Sequence, residues 1–235
     1  MKSKSLKIYK KLLYLGVFLV YIVGMENLNA QDWANLESFK EANTPFLNGD
    51  EDDPEVVFMG NSITIGWYNT NPDFFNTNNY VNRGIGGQTT PQMLVRFRPD
   101  VIDLKPKVVV ILAGTNDIAG NTGPSTIKMI ADNIFSMCEI AEANNIKVVI
   151  SSVLPVYDYP WKPGLEPAQK IIDLNLLLKE YAAKNGHEYL DYFSSMVDER
   201  NGLITEYGYD GVHPNDEGYK VMTELVQKSL KKVIK

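Results

Sequence analysis

Val108-Val109-Val110-Ile111-Leu112 is an unbroken apolar run that leads directly into the polar stretch Ala113-Gly114-Thr115-Asn116-Asp117. A run of β-branched residues without polar alternation is typical of a strand covered on both faces, as in a parallel sheet. Shorter or weaker runs of the same kind predict four more strands, at residues 56–59, 80–83, 147–152 and 188–190.

Helical patterns separate these strands. Apolar residues recur at helical spacing over residues 125–145, 167–185 and 216–232, and Gly186 is placed to end the second helix. Strands that alternate with helices through short connections predict right-handed crossovers and an α/β fold, a three-layer α/β/α sandwich. Ligands of such sheets bind at the carboxyl ends of the strands, which is where the polar motifs of this chain fall.

The first thirty residues differ from the rest. Five lysines lie within residues 2–11, an apolar run covers 12–24, and Ala30 follows a short polar stretch. This pattern predicts a cleavable secretory signal peptide at 1–30 and a single exported domain at 31–235, in the periplasm or outside the cell. The alternative is a membrane anchor, but about 20 apolar residues are needed to cross a bilayer, so we expect no stable membrane insertion after cleavage.

Charge and cysteine content exclude several kinds of partner. The chain carries a net charge of −6, and removal of the lysine-rich leader makes it more negative. Such a surface repels phosphate backbones, so nucleic acid is not an expected partner. One cysteine, Cys138, cannot form an internal disulfide, and two histidines with one cysteine argue against a structural zinc site.

The first strand is followed by Gly60-Asn61-Ser62-Ile63-Thr64, which places Ser62 at the turn into a helix. A serine there exposes its hydroxyl at the sheet edge, and its N–H lies near the positive helix end, where an oxyanion can be stabilised. The alternative is that Ser62 is only a helix N-cap. An α/β-hydrolase elbow is excluded, because G-x-S-x-G would need glycine where Thr64 stands.

Two more polar segments follow the second and third strands. Residues 84–90 contain three glycines in four positions and then hydroxyl residues, but they do not have the G-x-G-x-x-G spacing of a dinucleotide site. Asn116 follows the third strand and is a neutral donor that could bind a developing negative charge. Each segment alone could equally be an ordinary turn.

Near the end of the chain lies Tyr209-Asp210-Gly211-Val212-His213-Pro214. A carboxylate and an imidazole three residues apart on a tight loop can meet. Asp210 would then set the tautomer of His213, and His213 could take a proton from Ser62. A solvated loop histidine is the alternative.

Together these segments, which extend over Val56 to Tyr219, resemble the conserved blocks of the SGNH hydrolases, named for Ser, Gly, Asn and His. The resemblance implies a flavodoxin-like sheet of five parallel strands in the order 2-1-3-4-5 and no metal or cofactor. It also implies that Ser62 is the nucleophile and that His213 is the base with Asp210. Gly87 and Asn116 would then be oxyanion-hole donors beside the Ser62 N–H.

One position departs from the family pattern, because Asn61 stands where the family usually has Asp. Since Asp210 would supply the acid of the triad, we expect activity to survive this change. Residues 82–90 look most like the acetylhydrolases that act on platelet-activating factor, and also like bacterial esterases that deacetylate polysaccharides.

The expected substrate is therefore a short-chain, acetyl-type ester, of a small molecule or a glycan. Asn61, Trp67 and Trp161 are candidate substrate contacts, and residues 157–165, rich in proline and aromatic residues, form the candidate substrate loop. Two alternatives stay open: a lysophospholipase or thioesterase with the same triad, and a carbohydrate-binding protein without catalysis. The sequence does not indicate an oligomeric state.

Overall fold

Five parallel strands form the centre of the protein, whose computed structural model describes residues 32–234. They are β1 (Val56–Gly60), β2 (Tyr80–Gly84), β3 (Val108–Leu112), β4 (Lys147–Ser151) and β5 (Glu188–Leu190). Their order is β2-β1-β3-β4-β5, and β1 lies between its two neighbours with Val56 opposite Tyr80 and Val108. The predicted fold class and strand order are confirmed, and each predicted strand is found to within one residue.

Nine α-helices connect and flank these strands in the described part of the chain. They are α1 (Lys40–Asn48), α2 (Ser62–Thr70), α3 (Pro72–Asn76), α4 (Thr90–Asp100), α5 (Thr115–Ile118), α6 (Ile127–Ala143), α7 (Pro167–Asn185), α8 (Phe193–Met196) and α9 (Asp216–Val233). Helix α6 begins two residues later than predicted because Thr126 caps it, accepting a hydrogen bond from the Met129 N–H at 3.2 Å. Helix α7 has the predicted bounds and ends at Gly186, which has φ +74°.

The sheet has a hydrophobic core on each face. Val57 and Met59 of β1 point into one core, which α4, α6 and α7 cover. Val56 and Phe58 point into the other, which α2, α3 and α9 cover. Both faces are therefore buried, which explains the apolar runs without alternation. Each fully buried side chain of this size contributes roughly 1.5–3 kcal/mol to folding.

The described residues from Ala34 onward form one compact unit. None of the helices within residues 32–234 combines the length and the apolar character that crossing a bilayer requires. The predicted signal peptide at 1–30 lies outside the described residues.

Candidate active site

Ser62 is the first residue of α2, directly after the carboxyl end of β1. Asn61, not Ser62, is the helix cap, since its Oδ1 accepts a hydrogen bond from the Ile63 N–H at 3.0 Å. The alternative role of Ser62 as an N-cap is therefore wrong, and its hydroxyl is available for another partner. Gly84 at the end of β2 lets this strand pack closely against α2, because a Cβ at residue 84 would collide with the backbone of Ile65.

The partner of the Ser62 hydroxyl is His213. Ser62 Oγ lies 2.9 Å from His213 Nε2, and His213 Nδ1 lies 2.7 Å from Asp210 Oδ2. When Nδ1 carries the ring proton, it donates to Asp210 and leaves Nε2 to accept from the hydroxyl. The structure thus joins the three residues predicted as a triad by one chain of short hydrogen bonds.

A tight turn holds Asp210 and His213 in this arrangement. Asp210 Oδ1 accepts hydrogen bonds from the N–H groups of Val212 (2.9 Å) and His213 (2.8 Å). Gly211 between them has φ +82°, in the left-handed region that favours glycine. One carboxylate oxygen therefore binds the backbone, and the other is free to orient the imidazole.

The same contacts act on the ionisation of Asp210. Partial burial by itself would raise the pKa of the Asp210 carboxyl, but the hydrogen bonds from the His213 backbone, the His213 ring and Val212 outweigh it and leave this pKa below its usual value. Asp210 is therefore a carboxylate at neutral pH, and it can accept the hydrogen bond from His213 Nδ1.

The glycine-rich segment after β2 lies beside the loop after β3. Gly87 has φ +75°, and its carbonyl oxygen accepts a hydrogen bond from Asn121 Nδ2 at 3.0 Å. Asn116 is buried, and its Nδ2 donates to the carbonyl oxygen of Gln88 at 3.0 Å. The structure therefore brings the two predicted oxyanion donors together at the carboxyl edge of the sheet, with Gly87 in the loop after β2 and Asn116 in the short helix α5.

Asp117 of α5 joins this helix to the start of α4 by hydrogen bonds, a role that the sequence did not reveal. Its side chain is only 2% exposed, and it accepts hydrogen bonds from the Thr90 N–H at 3.0 Å and the Thr90 hydroxyl at 2.5 Å. Asn133 Nδ2 also donates to the Thr90 hydroxyl oxygen at 3.0 Å. Burial raises the pKa of the Asp117 carboxyl to about 6, although the hydrogen bonds from Thr90 act in the opposite direction.

This raised pKa predicts a stability change with pH. Between the ordinary pKa of aspartate, about 4, and the folded value of about 6, the folded chain binds more protons at Asp117 than the unfolded chain does. The contribution of Asp117 to stability is therefore full below pH 4 and is lost as pH rises through 6. Relative to Asp117→Asn, the wild type should lose about 2 kcal/mol of unfolding free energy between pH 4 and pH 7, measured by urea denaturation.

Asp132→Asn provides the control for that experiment, because Asp132 is an exposed aspartate paired with Lys128 on α6. Its unfolding free energy should follow that of the wild type at every pH. Parallel pH curves for the wild type and Asp117→Asn would contradict the prediction.

A buried arginine binds the ends of the two strands that precede the site. Arg96 of α4 is fully buried and donates to the carbonyl oxygens of Gly60 (3.0 Å) and Arg83 (2.9 Å), at the ends of β1 and β2. It also donates to Gln88 Oε1 at 2.5 Å and to Asp100 Oδ2 at 3.0 Å. The spacing of four residues between Arg96 and Asp100 is visible in the sequence. Such ion pairs normally lie on an exposed helix face, so the spacing did not indicate that this pair is buried.

Burial of two of the three candidate substrate contacts argues against a role for them in substrate binding. Trp67 is 1% exposed and packs among Phe58, Phe74 and Tyr219, so it has no face for a ligand. Asn61 is also buried, and its side-chain oxygen is used in the cap of α2. Both side chains stabilise the fold beneath Ser62.

Trp161, the third candidate, lies beside the site. It is 48% exposed, and its ring centroid is 6.0 Å from that of His213. Tyr209, which sequence reasoning did not single out, is 72% exposed and nearly parallel to the His213 ring, with centroids 5.8 Å apart and an angle of 11°. Its position directly before Asp210 is the signal that could have identified it.

Several known proteins are similar to this chain in sequence or in structure. The family model described as GDSL-like lipase/acylhydrolase matches residues 58–221. A crystal structure from Bacteroides fragilis, provisionally assigned as an acylhydrolase, is 48% identical with a TM-score of 0.83, covering 87% of this chain and all of that one. The crystal structure of an acetyl xylan esterase has a TM-score of 0.62 and covers 74% of this chain and 98% of its own, but at 18% identity it shows similarity of fold alone.

Two curated proteins are similar in sequence. The human platelet-activating factor acetylhydrolase IB subunit alpha2 is 26% identical over 195 residues, which are 78% of this chain and 81% of that protein. The lipoprotein YqeF of Bacillus subtilis is 37% identical over 81 residues, and this match covers only 33% of each chain.

Proposed function

Since this chain belongs to the GDSL-like lipase/acylhydrolase family, we propose that it is a serine esterase in which Ser62 is the nucleophile, His213 the general base and Asp210 the group that orients His213. The observation that carries the proposal is the chain of hydrogen bonds from Ser62 Oγ through both ring nitrogens of His213 to Asp210, at 2.9 and 2.7 Å. These are the contacts that proton transfer from the serine to the imidazole requires.

The reaction has two halves. Ser62 Oγ attacks the ester carbonyl carbon while its proton passes to His213 Nε2, and the carbonyl oxygen becomes an oxyanion. As the bond to the alcohol oxygen breaks, His213 returns the proton to that oxygen and an acyl-Ser62 remains. Water then attacks the acyl group with His213 as base, the acid leaves, and the proton returns to Ser62.

The oxyanion needs donors that are already in place. In our proposal these are the N–H groups of Ser62 and Gly87 and the side-chain amide of Asn116. The N–H of Ser62 lies at the start of α2, where the helix dipole favours negative charge. One amide hydrogen of Asn116 is used by the Gln88 carbonyl, which fixes the side chain and leaves the other hydrogen for substrate.

Asn116→Ala should lower kcat about 10²–10³-fold with little change in KM, because the donor acts most strongly on the charge of the transition state. Steady-state kinetics on p-nitrophenyl acetate measures both constants. Asn144→Ala is the control, since Asn144 caps the far end of α6 and its side chain donates to the Ile140 carbonyl oxygen at 2.7 Å. An unchanged kcat in Asn116→Ala would remove this residue from the oxyanion hole.

The acyl group of the substrate is short in our proposal, with acetyl the first choice. Two similar proteins carry names that describe acetyl esters, the platelet-activating factor acetylhydrolase subunit and the acetyl xylan esterase. We propose that a carbohydrate carries this acetyl group, a choice supported by the exposed aromatic rings beside His213.

A chain-length series tests the acyl preference. We expect kcat/KM on p-nitrophenyl esters to be highest for acetate and to fall steadily toward decanoate. A maximum at octanoate or longer would contradict an acetylesterase and favour the lysophospholipase or thioesterase alternative. Acetate release from acetylated plant and host glycans, measured for the wild type and for Ser62→Ala, then identifies the class of the natural substrate.

We propose that the protein is exported and that residues 1–30 are removed. The lysine-rich start and the apolar run at 12–24 support this, and the similar Bacillus protein is named a lipoprotein. The mature domain would then be 31–235. Mass spectrometry of the protein recovered from the cell envelope or the medium would identify the new N-terminus.

A further inference from the structure

Two exposed aromatic rings lie close to the imidazole of His213. Trp161 and Tyr209 have ring centroids 6.0 and 5.8 Å from that of His213. A single exposed aromatic residue on a surface has no special meaning, but two that converge on one functional ring form a surface suited to a ligand.

A buried side chain and several hydrogen bonds anchor the loop that carries Trp161. The neighbouring Tyr159 is fully buried, and its hydroxyl donates to the Thr115 carbonyl oxygen at 2.8 Å. Lys162 Nζ donates to the Ala119 carbonyl oxygen at 2.8 Å. Asp158 closes the loop by accepting from the Gly164 N–H at 2.8 Å. Trp161 is therefore exposed on an anchored loop, next to the segment that carries Asn116.

Tyr209 is fixed in a similar way. Its N–H donates to the His213 carbonyl oxygen at 3.2 Å, and Gly208 pairs with Pro214 across the base of the turn. The next residue, Asp210, is bound to two backbone N–H groups of the same turn. The backbone that carries the Tyr209 ring is thus held beside the imidazole, while nearly three quarters of the Tyr209 surface faces solvent.

The reaction determines which part of the substrate meets these rings. His213 must give its proton to the oxygen of the departing alcohol, so the alcohol portion of the ester lies against the imidazole. Groups that flank the imidazole therefore contact the alcohol portion and not the acyl group. We propose that Tyr209 and Trp161 form the alcohol-side subsite and that it takes a pyranose ring, an inference that rests on the esterase function proposed above.

A pyranose fits this subsite better than a negatively charged alcohol does. Aromatic rings offer broad apolar faces to the C–H surface of a sugar, and the tyrosine hydroxyl and indole N–H can bind its hydroxyl groups. The nearby Asp210 is a carboxylate and the chain is acidic overall, so a phosphate-bearing alcohol is disfavoured. Aromatic rings also bind quaternary ammonium groups, which makes a choline ester the competing occupant.

The test compares two acetyl esters that differ only in the alcohol portion. One is methyl acetate, which has no ring, and the other is methyl 6-O-acetyl-glucopyranoside, which carries one acetyl group and three free hydroxyl groups. We expect Tyr209→Ala and Trp161→Ala each to lower kcat/KM for the sugar ester about tenfold, mainly through KM, and to leave methyl acetate within about twofold of wild type. Tyr209→Phe and Trp161→Phe should retain most of the sugar activity.

Tyr68→Ala is the matched control, because Tyr68 is also an exposed aromatic residue, 36% exposed, but it packs against Phe75 instead of His213. It should leave both substrates unchanged. Sugar kinetics equal to wild type in both alanine variants would overturn the subsite, and so would equal losses on both esters, which would mean that the rings only position His213. Acetylcholine is assayed beside them as a third acetyl ester, and a loss confined to it would assign the rings to a quaternary ammonium group and would also overturn the pyranose. If the wild type shows no Ser62-dependent hydrolysis of methyl acetate, the proposed function itself fails.

Discussion

Ser62→Ala should hydrolyse p-nitrophenyl acetate at a rate close to that of buffer, with kcat lowered on the order of 10⁶-fold. The variant keeps the Asn61 cap and the imidazole, so substrate can still bind, but no oxygen remains to form the acyl-enzyme. The measurement is single-turnover and steady-state kinetics on freshly purified protein.

Two controls separate this effect from loss of folding. Ser136→Ala removes a hydroxyl that binds only the Asp132 carbonyl of its own helix within the described structure, at 2.9 Å, and should keep full activity. The melting temperature of Ser62→Ala should stay within a few degrees of the wild type. Substantial turnover by a folded Ser62→Ala protein would exclude Ser62 as the nucleophile.

Asp210→Asn should lower kcat about 10⁴-fold, the size of effect found when a triad acid becomes an amide. The two backbone N–H groups of Val212 and His213 require an acceptor, so the amide oxygen should take that side. The amide NH₂ would then face His213 Nδ1 and force the ring proton onto Nε2. In that tautomer Nε2 cannot accept the proton of Ser62.

Asp198→Asn is the matched control for this substitution. Asp198 also accepts two backbone N–H groups in a short turn, those of Arg200 and Gly202 at 2.8 Å each, but its second oxygen binds Arg200 and not a histidine. It should leave kcat unchanged. A fall of similar size in both variants would mean that the turn, and not the tautomer of His213, controls activity.

The fold was largely predictable because apolar runs and helical spacing act locally. The strong strand Val108–Leu112 and the helix Pro167–Asn185 have the predicted bounds. Helix Lys40–Asn48 was not predicted, since it contains Pro45 and buries little of its surface. Its Asn43 matters through contacts with Arg83 and Asp100, which lie far along the chain and leave no periodic signal.

The site was predictable where the chemistry depends on neighbours in sequence. Asp210 and His213 are three residues apart on the turn before α9, and strand ends and helix starts of a parallel α/β sheet meet at one edge, so their approach to Ser62 could be expected. Arg96 and Asp117 could not be found in this way, because their roles follow from burial among distant segments. Trp67 was predicted as a substrate contact but is buried, for the same reason. The sequence indicates that an aromatic residue lies near the site, but not whether its ring faces solvent.

Labelling with a fluorophosphonate, followed by peptide mass spectrometry, tests the central claim most directly. The reagent forms a stable bond with an activated serine, and we predict one adduct on the peptide that contains Ser62, absent in Ser62→Ala and formed far more slowly in Asp210→Asn. An adduct on a different serine, or an active enzyme that the reagent neither labels nor inhibits, would contradict the account.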